Sequence, residues 1–373
     1  MRIVTVVGAR PQFVKAAPVS RALAAAGHEE ILIHTGQHYD DAMSAAFFRD
    51  LEMDEPALNL EVGGGSHGTM AGEMMRRLEP AIVERRPDGV LVYGDTNSTL
   101  AGAVVTAKLS FDDGRRPWLG HVEAGLRSFN RRMPEERNRI VADHLADVLL
   151  APTPRAMAHL AREGLAERAQ LVGDVMVDAQ VWASAHAASR LPAVAREHGQ
   201  YLLLTLHRAE NVDDPDRLST ILDGLAIRLP VIFPVHPRTR GALDRAGLAL
   251  PANVVPVDPV GYLEMVALEA SAEAIATDSG GVQKEAYLAG VPCITLRGET
   301  EWVETVEAGW NRVVDADPTA LAAALADEAF MRRDRPRPPL FGDGEAARRI
   351  VAALERQHDS AQPAPDLQRR RSE

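Results

Sequence analysis

Short apolar runs alternate with longer amphipathic stretches along almost the whole chain. In the first half, Ile3–Val7, Glu30–His34, Gly89–Tyr93, Trp118–Val122 and Asp147–Ala151 read as strands, mostly without the polar alternation of a half-exposed sheet. Helices are expected to begin near Pro11, Asp41, Thr69, Ser98 and Pro134; proline suits a first turn, where an N–H would lack an intrahelical acceptor. A second series follows at Tyr201–Leu206, Val231–Val235, Val254–Val257, Glu273–Thr277, Val291–Leu296 and Arg312–Val314. This alternation predicts βα units, and hence an α/β chain of two Rossmann-like doubly wound domains facing a cleft. The domains are expected over residues 1–172 and 173–342. A helix over 343–357 should return to the first domain, and a flexible tail rich in Pro, Gln, Asp and Arg should cover 358–373.

Composition refines this picture. At 373 residues, 46% hydrophobic and 25% charged, the chain is too long for one compact core. A formal net charge of −12 argues against a nucleic-acid binder with a basic surface. It still permits a few local arginines to hold an anionic small molecule. The one cysteine, Cys293, sits in an apolar run and reads as a buried strand residue. It can form neither an intramolecular disulfide nor a cysteine-based zinc site. The residues from Met1 to Gly8 read as a short strand rather than a signal peptide. No apolar run approaches a membrane span, so a cytoplasmic protein is expected.

In open α/β sheets ligands bind beyond the carboxyl ends of the strands, and the polar residues concentrate there. The stretch Gly8-Ala9-Arg10-Pro11-Gln12-Phe13-Val14-Lys15 feeds a helix start. Its free N–H groups, with Arg10 and Lys15, make it a candidate phosphate site, although the dinucleotide fingerprint is absent. Asp95 follows Gly89–Tyr93 and reads equally as a helix cap or a ligand-holding carboxylate. Glu123 ends a mostly apolar strand, where a half-buried carboxylate can act as acid or base. Spacing alone gives Glu135 and Glu136, at a helix start, only a favourable dipole role. His207 and His236 each stand at a strand exit; with no third ligand nearby, contact with an anion is favoured over a metal. Ser279-Gly280-Gly281 lies between a strand and a helix, an anion cradle with Glu285 about one turn further on.

Eight motifs occur in order: GARPQFVK, TGQHYD, YGDTNSTLAGA, HVEAGLRS, MPEERNR, LHRAEN, PVHPR and DSGGVQKEA. On these the chain, from Arg2 to about Val351, resembles the non-hydrolysing UDP-N-acetylglucosamine 2-epimerases. The resemblance implies a GT-B-like fold, a homodimer, a UDP-sugar substrate, and neither cofactor nor catalytic metal. It implies catalytic roles for Asp95, Glu123, Glu135 and His207. Arg10, Lys15, His236 and Ser279-Gly280-Gly281 would hold the uridine diphosphate, and Glu285 its ribose. The C2 proton of the sugar has no adjacent carbonyl, so the implied route is elimination of UDP to a 2-acetamidoglucal, followed by re-addition. The cleft should close around this intermediate, with Gly173-Asp174 and Phe341–Glu345 as candidate hinges.

Relatives activated by their own substrate carry another glutamine after the Gln-His of the second motif, and an arginine in the next loop. Here Gln37-His38 is followed by Tyr39-Asp40, and the later loop reads Gly65-Ser66-His67-Gly68, so substrate activation is not expected. GARPQF, TGQHYD and GGGSHGTM together look closer to relatives acting on UDP-2,3-diacetamido-glucuronic acid. The rival readings are a GT-B glycosyltransferase, a hydrolysing epimerase and a non-catalytic UDP-sugar binder. Three candidate acids in the first domain favour proton transfer over glycosyl transfer.

Overall fold

The computed structural model describes residues 1–37 and 48–361; the helix expected near Asp41 lies outside the described residues. The chain forms two compact units: Met1–Ala179 together with the chain from Phe341 onward, and Gln180–Leu340.

The first unit is built on seven parallel strands: β1 (Arg2–Val7), β2 (Glu29–His34), β3 (Leu58–Asn59), β4 (Gly89–Tyr93), β5 (Trp118–Val122), β6 (Val148–Ala151) and β7 (Ala169–Leu171). Their order is β3-β2-β1-β4-β5-β6-β7. β1 pairs with β2 from Arg2↔Glu29 to Val7↔His34, and with β4 from Ile3↔Gly89 to Val6↔Val92. After β1 the chain crosses toward one edge, and after β4 toward the other. The two connections therefore diverge, leaving a crevice at the carboxyl ends of β1 and β4.

The second unit repeats the device with β8 (Leu202–Thr205), β9 (Val231–Pro234), β10 (Val254–Val257), β11 (Ala274–Thr277), β12 (Cys293–Thr295) and β13 (Asn311–Val313). Their order is β10-β9-β8-β11-β12-β13, which puts the switch between β8 and β11. Successive residues of β8 enter different cores: Leu202 and Leu204 pack with Phe233 and Ile294, and Leu203 packs with Ile232 and Ile275. A sheet covered on both faces needs apolar residues at consecutive positions. Both sheets are the doubly wound α/β type that the apolar runs predicted.

The differences have local causes. β3 and β7 were not anticipated; they are two- and three-residue edge strands, partly exposed, with no apolar run to mark them. β12 begins at Cys293 because Pro292 has no N–H to offer a ladder. Helices start at Arg10, His67 and Asn97, slightly earlier than expected. For the last two, the Ser66 and Thr96 side chains accept the N–H groups of Thr69 and Thr99, each at 3.3 Å. The last helix, Ala346–Ala361, runs past the end expected at 357, continued by the good helix formers Glu355, Arg356 and Gln357. It packs on the helix Arg10–Ala25 and on β5 and β6. Asp178 accepts the N–H groups of Ala346 and Ala347 at 3.2 and 2.9 Å. Of the segments expected as hinges, Asp174 donates its N–H to the Phe341 carbonyl at 2.8 Å.

An arginine-rich segment ties the second unit together. Arg333 donates to the carbonyls of Ala270, Ala272 and Gly290 at 3.0, 3.2 and 3.1 Å. Arg337 reaches Tyr287 at 2.9 Å, and Arg335 reaches Gly309. These cations meet carbonyls near the C-terminal ends of three helices, where the backbone dipole is negative.

Burial pushes the Cys293 thiol up to about 12, and the residue is 1% exposed. Since the thiolate is the reactive form, alkylation by iodoacetamide should be negligible in the native protein and should appear with the urea unfolding transition. Labelling followed by mass spectrometry across that transition checks this.

Candidate active site

At the end of β1, Gly8 is required by close approach. A Cβ there would lie 2.0 Å from Thr35 Oγ1 and 2.2 Å from Ser98 Oγ. Its N–H and that of Ala9 were expected to be open to a phosphate. Instead they donate to Gln12 Oε1 at 2.8 and 3.1 Å. Gln12 Nε2 donates to the Tyr93 carbonyl at 2.8 Å and to Thr99 Oγ1 at 3.1 Å. This glutamine therefore stitches the β1 loop to the β4 loop, and Arg10 and Lys15 lie on the same helix. Burial lowers the pKa of Arg10.

Lys15 forms an ion pair with Glu123, and both side chains are largely buried, at 15% and 8% exposure. Burial opposes the ammonium charge, but Glu123, Asp95 and Asp174 outweigh it and hold Lys15 above its ordinary pKa. Glu123 itself has φ of +70°, a left-handed conformation that costs a residue with a Cβ about 1–3 kcal/mol and collects at functional sites. Gly94, also left-handed at φ +62°, leaves the room: a Cβ there would stand 3.3 Å from Glu123 Oε2 and 3.5 Å from Lys15 Nζ.

Asp95 follows that glycine and pairs with Arg139. The guanidinium also meets Glu136 Oε2 at 3.3 Å. Its burial is overcome by Asp95, Glu136 and Glu123, which raise the Arg139 pKa. Asn138 Nδ2 donates to the Asp95 carbonyl at 2.9 Å. The two acids at this helix start part company. Glu136, 1% exposed, accepts the N–H groups of Ser128 and Phe129, each at 2.9 Å. It thereby fixes a turn in which Phe129 has φ of +60° and is 70% exposed. Glu135 is half-buried in the first turn of the same helix.

In the second unit, the loops after β8 and β11 meet at the switch point. Asp278 is wholly buried. It accepts the N–H groups of His207 and Arg208 at 3.0 and 2.9 Å, and Asn211 Nδ2 at 3.1 Å. The His207 ring lies with Nδ1 3.4 Å from Asp278 Oδ1. Burial depresses the His207 pKa, with Arg208 and Arg238 assisting and Asp278 opposing. The ring centroid of His236 is 5.6 Å from that of His207. His236 Nδ1 accepts the Arg238 N–H at 3.2 Å, capping its own helix. Ser279 caps the next helix through Val282 at 3.5 Å, and Gly280 and Gly281 occupy a first turn whose N–H groups have no intrahelical acceptor. Glu285 lies half-buried on that helix. The neighbouring Glu269 is pushed well above the carboxylate range by burial and then by Glu285.

Sequence reasoning thus named the side chains at the strand ends and missed those that hold them. Gln12, Glu136, Asp143 and Asp278 are buried polar residues of the described structure that fasten these loops. Asp278 had a signal, as an acid at a strand end directly before Ser-Gly-Gly. Asp143 sits in the last turn of its helix and had none. Among the described residues, no cluster of three His, Cys, Asp or Glu is arranged to hold a metal ion.

The family described as UDP-N-acetylglucosamine 2-epimerase matches residues 21–355. The UDP-2,3-diacetamido-2,3-dideoxy-D-glucuronate 2-epimerase of Pseudomonas aeruginosa is 45% identical over 370 residues, 95% of this chain and 99% of its own. The UDP-N-acetylglucosamine 2-epimerase of Methanocaldococcus jannaschii is 42% identical over 369 residues, 95% and 99% of the two chains. A crystal structure of the UDP-GlcNAc 2-epimerase from the same organism, in complex with UDP-GlcNAc and UDP, is 40% identical with a TM-score of 0.85. That likeness covers 95% of this chain and 100% of the other.

Because the folded Lys15 pKa lies above its ordinary 10.5, the native state keeps its proton longer than the unfolded one. The Lys15–Glu123 pair therefore stabilises fully below that value and fails as the pH rises through the raised pKa. Urea unfolding from about pH 9 to about pH 12 should show a steeper alkaline loss for the wild type than for Lys15→Met. Gly94→Ala should lose about 1–2 kcal/mol of stability, read from the same curves, because L-residues disfavour its φ.

Proposed function

The chain belongs to the UDP-N-acetylglucosamine 2-epimerase family, and we propose on that premise that it inverts C2 of a UDP-linked 2-acetamido sugar. The observation that carries this reading is the placement of Glu123, a carboxylate in a strained left-handed turn, paired with buried Lys15 beside Asp95. The first unit supplies acid/base groups together with Arg10 and Lys15, and the second supplies His207, His236 and the Ser279-Gly280-Gly281 turn for the uridine diphosphate.

Inversion proceeds by elimination and return. A carboxylate removes the C2 proton while the C1–O bond to UDP breaks, leaving a 2-acetamidoglucal. UDP then re-adds at C1 as a second group delivers a proton to the other face of C2. Asp95, Glu123 and Glu135 supply these proton transfers, each positioned transfer being worth about 10²–10⁴-fold. The leaving diphosphate is stabilised by Arg10, Lys15, His207, His236 and the Ser279-Gly280-Gly281 helix end, each electrostatic contact contributing about 3–4 kcal/mol. Glu285 accepts hydrogen bonds from the ribose. The depressed pKa of His207 favours the neutral imidazole near neutral pH, which can meet the diphosphate as a hydrogen-bond donor.

The first substrate proposed is UDP-N-acetylglucosamine, giving UDP-N-acetylmannosamine. A second reading, UDP-2,3-diacetamido-glucuronic acid, is favoured by the 45% identity to the epimerase of that sugar. No described helix is long and apolar enough to cross a membrane, and a cytoplasmic homodimer is the setting proposed for the reaction.

Proton NMR of the protein with UDP-N-acetylglucosamine in D2O should show deuterium entering C2 as the manno epimer appears. Free N-acetylmannosamine with UDP would indicate the hydrolysing outcome. If nothing exchanges, the diacetamido-glucuronate substrate is next, and failure with both overturns the proposal. Asp95→Asn and Glu123→Gln should each lower kcat by about 10²–10⁴-fold while UDP still binds, as calorimetry would report.

A further inference from the structure

We infer that Asp143 is a positioning residue for the acid/base centre, holding the turn that bears Glu123 and the turn that bears Asp95 at a fixed spacing. The inference rests on the acid/base reading of those two carboxylates given above. Asp143 lies on the helix Pro134–Leu145 and is wholly buried. Its Oδ1 is 2.7 Å from His121 Nδ1. Its Oδ2 accepts the Gly125 N–H at 3.1 Å and Arg127 Nη1 at 2.7 Å. On the far side of the imidazole, His121 Nε2 is 2.7 Å from the Gly94 carbonyl oxygen. The Asp143 carboxylate and the Gly94 carbonyl both accept, so each ring nitrogen faces an acceptor to which it can donate.

These contacts bracket the site. His121 and Gly125 stand two residues before and after Glu123, and Gly94 immediately precedes Asp95. The chain of bonds Gly125–Asp143–His121–Gly94 therefore joins one carboxylate's turn to the other's. It begins where the sheet stops: the β4–β5 register ends at Tyr93↔Val122, followed by the Gly94 N–H to the Val122 carbonyl at 3.0 Å. Beyond it the Glu123 and Ala124 N–H groups turn to the Leu150 carbonyl of β6, at 3.1 and 3.2 Å, and the side chains of His121 and Asp143 tie this turn to the one that bears Asp95. Arg127, 1% exposed, anchors the outer end, with both carboxylate oxygens of Glu163 at 2.8 Å. Burial alone would raise the Asp143 pKa, but His121 and Arg127 outweigh it and keep the carboxyl below its usual range. A strained residue such as Glu123 persists only where its surroundings over-determine it, and this clamp supplies that constraint.

The test uses the full chain, with Asp143→Asn, His121→Gln, the double variant, and Leu78→Ala as a core truncation of the same unit. For whichever sugar the wild type epimerises, kcat and KM are measured by NMR. UDP affinity is measured by calorimetry and folded fraction by thermal melting. Asp143→Asn should lower kcat per folded molecule by about 100-fold, with KM and the UDP Kd within about threefold, since an error of 1 Å in positioning has that size of effect. Because Asp143 and His121 are links of one chain of bonds, the double variant should be no slower than the slower single one. Leu78→Ala should melt earlier and keep its kcat per folded molecule.

Near-wild-type kcat in folded Asp143→Asn, or effects of the two substitutions that multiply, would overturn the inference. If Asp143→Asn does not fold, His121→Gln carries the same test, because it leaves the Asp143–Arg127 pair in place. A wild type that exchanges C2 while Asp143→Asn does so equally well defeats the positioning role alone. A wild type that exchanges neither sugar defeats the acid/base reading, and the positioning role with it.

Discussion

Two largely buried cations, Lys15 and Arg139, hold together carboxylates that would otherwise repel one another. Lys15 pairs with Glu123 and feels Asp95 and Asp174, and Arg139 pairs with Asp95 and feels Glu136 and Glu123. Each cation thus serves both carboxylates, a lattice of alternating charge rather than two isolated salt bridges. Buried ion pairs are poor sources of net stability, because desolvation offsets most of the attraction. What such a lattice can supply is geometry, since ionised acids at close quarters need opposite charges between them.

The sheets decide where the lattice can exist. In each unit, divergence of consecutive crossovers on either side of a central strand pair opens a crevice at the carboxyl ends of those strands. β1 and β4 in the first unit, and β8 and β11 in the second, are those pairs. The proposed site residues follow them or the neighbouring strands β5 and β9. Fold and site thus follow from the same connection rule.

This explains why so much was legible in the sequence. Strands buried on both faces leave long apolar runs, so Gly89–Tyr93 and Trp118–Val122 could be bounded to the residue. The polar residues directly after them stood out by contrast. β3 and β7 left no such trace, because a two- or three-residue edge strand is fixed by its neighbour rather than by its own pattern. Gln12, Glu136 and Asp143 escaped for a different reason. A polar residue inside an amphipathic helix looks the same in sequence whether it faces water or a buried backbone amide, and only tertiary structure separates the two. The free N–H groups expected at Gly8 were misread on the same account, since their acceptor is a side chain on the following helix.

The return of the chain to its first unit imposes an order on synthesis. The helix Ala346–Ala361 lies on β5 and β6, and Leu354 reaches within 3.4 Å of where a Cβ on Gly120 would stand. A ribosome delivers that helix only after every residue of the second unit. The nascent first unit therefore waits with an apolar face of its sheet uncovered while its neighbour is made, so the half begun earliest is completed last. Protection of that face during translation, by chaperones or by the pace of elongation, then becomes part of what the cell must provide for this fold.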